Sequence, residues 1–407
     1  MSRLWLRVVL PFAGGYLLSY LYRTVNAVAG PVLAQELGLS SGALGLLTSA
    51  YFVAFGLAQI PLGVLLDRYG ARRVESTLLL VAAAGAALFA TAEDALGLAL
   101  GRAVIGLGVS ACLMAAFKAF SQVMPADRQA SLTGWIMSAG SLGALVASSP
   151  LEAAIAAAGW REVFAALAGI TLLVSAWLRL SVPELPAAAP AGRLAVQLRE
   201  LQTVFASRRL RRFAPLGFAL IGGFMAVQGL WATVWMTSIN ALDRAEAAQH
   251  LATMNLAMLA TYVGVGLLAH RLAHRGITPL HLMVGGLGLS LTALLLVLLE
   301  AGTHTAWLWA AYGIGSCFGT LSYSQMARGF PLALAGRAHT AFNLAVFAGG
   351  FTIQWGYGVL LDALTAAGLA PADALRVALG GLWLLQLASY AWFVAGWRKD
   401  LAEPAAT

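Results

Sequence analysis

Stretches of roughly 20 mostly apolar residues, separated by short polar breaks, recur along almost the whole of this chain. Each is long enough to cross the hydrocarbon core of a bilayer. A backbone in that medium must satisfy its own hydrogen bonds, so the stretches are expected to be helices. Breaks at charges, prolines and glycine clusters predict twelve spans, at about 7–30, 43–66, 74–92, 96–120, 130–155, 161–181, 213–238, 249–269, 278–299, 304–327, 338–362 and 374–396. With 60% hydrophobic and 10% charged residues among 407, a water-soluble fold would expose more apolar surface than water tolerates. The start, Met1 to Arg7 followed by an apolar run, reads as the first spanning helix rather than a cleaved leader. The expected fold is therefore an all-α membrane protein. Two six-helix bundles, 1–182 and 213–407, would be joined by a cytoplasmic linker, 183–212, rich in Ala, Pro and Arg.

A formal charge of +8 raises the question of nucleic acid, but the basic residues lie in the breaks and form no single basic face. Of the 25 Lys and Arg, 19 fall in breaks on one side of the predicted membrane and only Arg161, Arg244 and Arg376 on the other. This asymmetry predicts an inner (plasma) membrane protein of bacterial type with both termini cytoplasmic. The remaining three, Arg23, Arg102 and Lys118, lie inside spans, where a charge is costly and faces the bundle interior or a wet cavity. All 17 acidic residues are expected in breaks or at helix ends. Glu152 and Asp362 come nearest to mid-membrane, so proton coupling would fall to Glu152, Asp362, His339 or the substrate itself. Cys112 and Cys317 read as small packing residues. The chain lacks a Walker pattern, a nucleophile elbow, HExxH and CxxC, so neither an ATP-driven pump, an enzyme, a bound cofactor nor a metal site is expected.

The two halves echo each other at an offset of roughly 203 to 210 residues, as transporters built from repeats do. Gly63-Val-Leu-Leu-Asp67-Arg68 is answered by Gly266-Leu-Leu-Ala-His270-Arg271, Cys112 by Cys317, and Glu152 by Asp362. The break Pro61-Leu-Gly63-Val-Leu-Leu-Asp67-Arg68-Tyr-Gly70-Ala-Arg72-Arg73 resembles the signature loop of the major facilitator superfamily. That resemblance implies a cytoplasmic charge network, built from Gly63, Asp67, Arg68, Gly70 and Arg72, that latches the outward-open state. Read without it, the arginines serve as topology determinants, which leaves Asp67 unexplained. Leu100-Gly101-Arg102-Ala-Val-Ile-Gly106-Leu-Gly108 resembles the fourth-helix pattern of the same superfamily and adds Arg102 to the conformational set. Snorkelling of Arg102 to the outer surface is the alternative.

In the first helix, Gly15-Tyr16-Leu-Leu-Ser19-Tyr20-Leu-Tyr22-Arg23-Thr-Val-Asn26 resembles the organic-anion branches, the organophosphate/phosphate antiporters and anion:cation symporters. The resemblance places Arg23 on the anionic group of a substrate. Independently, Arg23 lies some 24 Å along the helix from Arg7, too deep for easy relief at the cytoplasmic surface. Tyr16, Tyr20, Arg23 and Asn26 share one helix face. The alternatives are an Arg23 that snorkels outward or pairs only with Glu36 or a carbonyl. Two departures narrow the substrate. Tyr22 stands where the symporters commonly carry an acid, and the seventh helix, Gly222 to Trp235, has no second arginine. A singly charged, partly apolar anion of the monocarboxylate type is expected, held by Arg23 with Tyr20, Asn26, Lys118, Gln228, Trp231 and Asn343 around it. Interhelical hydrogen bonds for Gln228 and Asn343, snorkelling for Lys118 and an aromatic belt for the tryptophans are the plainer readings. The carrier is expected to act as a monomer, with protons or a counter-anion as possible co-substrates. A proton-coupled drug or metabolite exporter is the rival reading. It would call for a glycine-proline signature in the fifth helix, where Gly140 and Gly143 are present and the proline is displaced to Pro150.

Overall fold

The computed structural model describes residues 5–123, 129–184, 194–274, 276–300 and 305–400, and every regular element among them is helical. The middle of the predicted linker, 185–193, lies outside the described residues. Span 1 runs through Trp5–Val9, Leu10–Thr24 and Asn26–Leu37. Spans 2 and 3 share the helical stretch Ser41–Thr91, which folds back at Gly70. There φ is 79°, a backbone region in which a side chain is strained. Span 4 is Ala95–Gly108 with Cys112–Val123, and span 5 is Gln129–Val146 with Ser149–Ala158. Span 6 is Trp160–Ser181, and a helix, Leu194–Ala206, leads into span 7, Arg208–Leu216 through Ala232–Ser238. Spans 8 and 9 are Arg244–His274 and Pro279–Leu298; span 10 is Thr305–Cys317 with Leu321–Ala327; spans 11 and 12 are Leu332–Ala366 and Pro371–Asp400.

Seven of these stretches are long and apolar enough to cross a membrane unaided. Several spans are interrupted, and the interruptions repeat between the halves. Span 1 breaks at Val25 and span 7 carries a π-helical turn at Val227–Trp231. Span 4 breaks just before Cys112, and span 10 tightens to a 3-10 turn just after Cys317. Both cysteines are buried and free. Several helices outrun the predicted spans, span 11 reaching 35 residues. Apolarity marks only the hydrocarbon thickness, whereas helical hydrogen bonding continues past it until a cap or glycine intervenes. Ser40, Asp94 and Thr278 supply such caps for spans 2, 4 and 9.

Two ends of the bundle can be distinguished: the linker end, with Asp67 to Arg73, and the far end, with Ser41 and Asp362. Toward the far end the two halves are joined. Asp362 of span 11 accepts from the backbone N–H groups of Ser41 (3.0 Å) and Gly42 (2.8 Å) at the start of span 2. Gly45 lies against the Gln354 backbone and the Trp231 ring, and Gly30 against Leu230. Asn255 of span 8 donates to the Ala144 carbonyl of span 5 at 3.0 Å. Deepest in this seal, Phe347 of span 11 stacks on Phe55 of span 2 with centroids 4.5 Å apart, and Phe52 lies beside it at 6.1 Å.

Candidate functional site: a caged cation beneath an aromatic seal

Arg23 occupies the position just under the Phe55–Phe347 stack. Its guanidinium carbon lies 4.5 Å from the centroid of Tyr20, 5.4 Å from Phe55 and 5.7 Å from Phe347. The cage is thus drawn from spans 1, 2 and 11, and both halves contribute. Arg23 is 9% exposed, and its Nε has no hydrogen-bond partner. Glu36 is not its counter-ion, because that carboxylate binds Arg161 and the Trp160 indole (2.7 Å) at the far end of the same half. These two donors hold Glu36 below the usual carboxylate range. Among the described residues no carboxylate forms an ion pair with Arg23. Three aromatic faces contribute about 0.5–2 kcal/mol each, whereas burying an ion costs several kcal/mol. The cage therefore positions the charge without neutralising it. An anion arriving there gains a guanidinium that no carboxylate already occupies.

The tyrosines complete the surroundings. Tyr16 and Tyr20 pack edge to face at 5.2 Å, held where a Cβ on Gly140 of span 5 would collide with both rings. Tyr262 of span 8 and Tyr323 of span 10 face both tyrosines, and Tyr323 also faces Arg23. The Tyr323 hydroxyl donates to Asn343 Oδ1 at 2.7 Å, and its ring lies parallel to His339 at 6.2 Å. Arg23, Tyr20 and, through Tyr323, Asn343 and His339 therefore converge from opposite halves. Tyr16, Tyr262 and Tyr323 join them as hydroxyl-bearing neighbours.

Other predicted site residues lie elsewhere. Asn26 is fully buried and donates to Thr48 Oγ1 at 3.0 Å, tying span 1 to span 2. Gln228 donates to Asn255 Oδ1 at 2.8 Å, and Trp231 donates to the Gln354 carbonyl at 3.2 Å while its ring meets Tyr357. Both are committed to the seal. Trp235 is 1% exposed and so is no belt residue. Lys118 pairs with Asp67 across spans 4 and 2 at the linker end. It belongs with the signature loop, apart from the Arg23 cage. In that loop Arg72 donates to the Arg179 carbonyl at 2.9 Å, Arg73 pairs with Glu184, and Arg68 is exposed over the Tyr69 ring; Gly63 is part of the span 2 helix. Arg102 does not snorkel. It is 0% exposed, lies 5.0 Å over the Tyr51 ring, and donates from Nη1 to the Tyr22 carbonyl at 2.6 Å, beside the break in span 1. Glu152 lines a small cleft with Pro31, Thr233 and Arg244 toward the far end. Asp362 is engaged with span 2 as described.

A sequence profile of the Major Facilitator Superfamily matches residues 12–353. This chain belongs to the major facilitator superfamily. Its fold agrees: a bacterial homologue of the human lysosomal transporter Spinster, in an inward-facing and unoccupied conformation, superposes with a TM-score of 0.75 over 97% of both chains at 17% identity. Among curated major facilitator relatives, a probable sulfoacetate transporter of Cupriavidus necator is 31% identical over 157 residues, 39% of this chain and 36% of that one. The hexuronate transporter of Escherichia coli K12 is 28% identical over 165 residues, 40% of this chain and 38% of that one. The matched segments thus cover little more than a third of either relative. As the superfamily implies, the protein crosses the membrane several times.

Two features of the site carried no sequence signal. Phe55 and Phe347 are ordinary apolar residues of ordinary spans, and only the crossing of spans 2 and 11 makes them walls of a cage. Glu75 adds a feature that helix position alone does not give: it lies near a helix end, as the sequence predicts, and is 0% exposed. The helix resumes directly after the Gly70 turn, earlier than the apolar run suggests, and carries Glu75 about a turn into the bundle, where Gly15 leaves room for its carboxyl.

Proposed function

We propose that the protein is a secondary transporter that carries a small organic anion across the plasma membrane by alternating access, and that Arg23 holds the anionic group. The observation that carries this reading is the Arg23 guanidinium, buried between the halves in a cage of Tyr20, Phe55 and Phe347, with no carboxylate among the described residues paired to it. One guanidinium suits one carboxylate or sulfonate, and the neighbouring tyrosine hydroxyls suit a hydroxylated remainder. Of the relatives' names, the hexuronate transporter agrees with that chemistry, and the sulfoacetate transporter agrees in the anionic character of its substrate. The excess of Arg and Lys on the linker side supports cytoplasmic termini and a bacterial inner membrane. With the linker end inside, a seal at the far end corresponds to an inward-facing state. Tyr20, Tyr323 and Asn343 shape the site, and Asn26, Gln228 and Trp231 act on it only through packing. The coupling ion is a proton or a counter-anion, and the carrier works as a monomer.

The test is thermal stability of purified wild type and Arg23→Gln against uronates, sulfoacetate, dicarboxylates, phosphate esters and organic cations. A ligand at about a hundred times its dissociation constant stabilises by about 2.7 kcal/mol. Stabilisation by uronates or sulfoacetate that vanishes in the variant is the expected outcome. Equal stabilisation of both proteins by organic cations would overturn the assignment and favour the exporter.

A further inference from the structure

Glu75 is the acidic group that the transport reading leaves unused. It is fully buried, and neither carboxyl oxygen has a hydrogen-bond partner. From span 1 its neighbour is Gly15, whose missing side chain leaves the carboxyl its space. From span 4 it is the Cys112 thiol. Span 6 approaches beside it, with Ser175 donating to the Ser76 carbonyl at 2.7 Å. On its own helix Arg72 and Arg73 are turned to the Arg179 carbonyl and to Glu184. No cation pairs with Glu75 among the described residues. Burying an unpaired carboxylate is costly, so the balance between acid and carboxylate here turns on any charge that reaches it from a distance. A purely structural residue here would need no ionisable group.

Span 1 connects this acid to the caged cation. Gly15 and Arg23 are eight residues apart, about 12 Å along the axis, and a helical side chain leans back toward the N-terminus, which shortens the gap. The uncompensated charge of Arg23 favours an ionised Glu75; an anion seated on Arg23 cancels that field. With an effective dielectric constant of about 20, two unit charges about 12 Å apart change proton affinity by about tenfold. We propose that Glu75 is the proton site of this carrier, taking up a proton when an anion occupies Arg23 and releasing it when the anion leaves. The step is a single proton transfer. A carboxylate oxygen takes a proton from hydronium, leaving water, and the same O–H bond breaks when the proton returns to water as hydronium. The inference rests on the anion reading of Arg23. It differs from the sequence expectation, which assigns coupling to Glu152, Asp362, His339 or the substrate itself.

Reciprocity gives the test: if the anion favours the proton, the proton favours the anion by the same factor. Galacturonate and sulfoacetate, both fully ionised above about pH 6, serve as probes for calorimetric titration of the full-length protein from pH 6 to pH 9. Wild type is expected to lose up to about tenfold in affinity as pH rises. Glu75→Gln, which mimics the neutral acid, should bind at every pH as wild type does at the acid end, and Cys112→Ala should keep the wild-type slope. A slope that survives in Glu75→Gln, or its absence in wild type, overturns the proposal. Should the variant fail to fold, the infrared difference spectrum of wild type on adding galacturonate at the alkaline end decides. A gain in protonated-carboxyl absorption supports the proposal, and none overturns it. Failure of the anion reading looks different: Arg23→Gln would then bind like wild type, whatever Glu75 does to the slope.

Discussion

Asp67 and Asp362 stand near the C-terminal ends of spans 2 and 11, each a carboxylate at the end of a helix whose dipole disfavours it. Each has found a different remedy. Asp67 pairs with Lys118 inside its own half, so the loop predicted to latch the outward-open state is occupied internally. Asp362 crosses to the other half and accepts two N–H groups at the start of span 2, beside the Ser40 cap that takes a third. A helix start offers unpaired N–H donors and a favourable dipole, so this carboxylate satisfies two orphan groups at once. The difference teaches where the halves are tied in this conformation: at the far end by a bond between bundles, at the linker end by bonds within one. Residue type and helix position are shared, and the partner decides the role.

The comparison can be broken most directly at Asp362. Asp362→Ala removes both acceptors from the start of span 2, a loss of about 1–2 kcal/mol. The balance between far-end-closed and far-end-open forms should move about 5–30-fold. Spin-label pairs across the far end should show a new, longer distance; an unchanged distribution would mean that the aromatic stack alone keeps the end shut. Asp67→Asn is the matching experiment on the other end. A half-buried ion pair within one bundle is worth about 1 kcal/mol or less, so stability should fall slightly and far-end distances should stay as they are. If they shift as much as in Asp362→Ala, the two aspartates are not independent.

The smallest effect is expected at Glu36, which is held below the usual carboxylate range by Arg161 and Trp160 within one half. A carboxylate depressed in the folded state stabilises fully above its unfolded pKa and loses that contribution as pH falls through the folded value. The stability difference between wild type and Glu36→Gln should therefore be flat from neutrality down to about pH 4.5 and shrink below it. A difference that grew in acid would show that Glu36 has another partner.

The helical architecture was legible because a bilayer imposes one requirement on every span, and apolar length reports it directly. Arg23 was legible for the same reason: a charge has to be explained wherever it falls in such a stretch. The partners of polar groups were not. Lys118, Gln228 and Trp231 sit on spans that do approach the site, and only side-chain geometry shows that Asp67, Asn255 and Gln354 already engage them. Glu75 escaped notice because its burial depends on where a glycine turn ends, and apolar length is blind to turns.

Phe347 belongs to two assemblies at once, being the deepest ring of the seal and a wall of the Arg23 cage. Any motion that parts it from Phe55 also takes away one side of the cage. Gate and receptor are thus a single mechanical part. The far entrance cannot widen while its cargo keeps every contact, so leakage through a loaded, doubly open molecule is opposed by the same ring that helps to hold the charge.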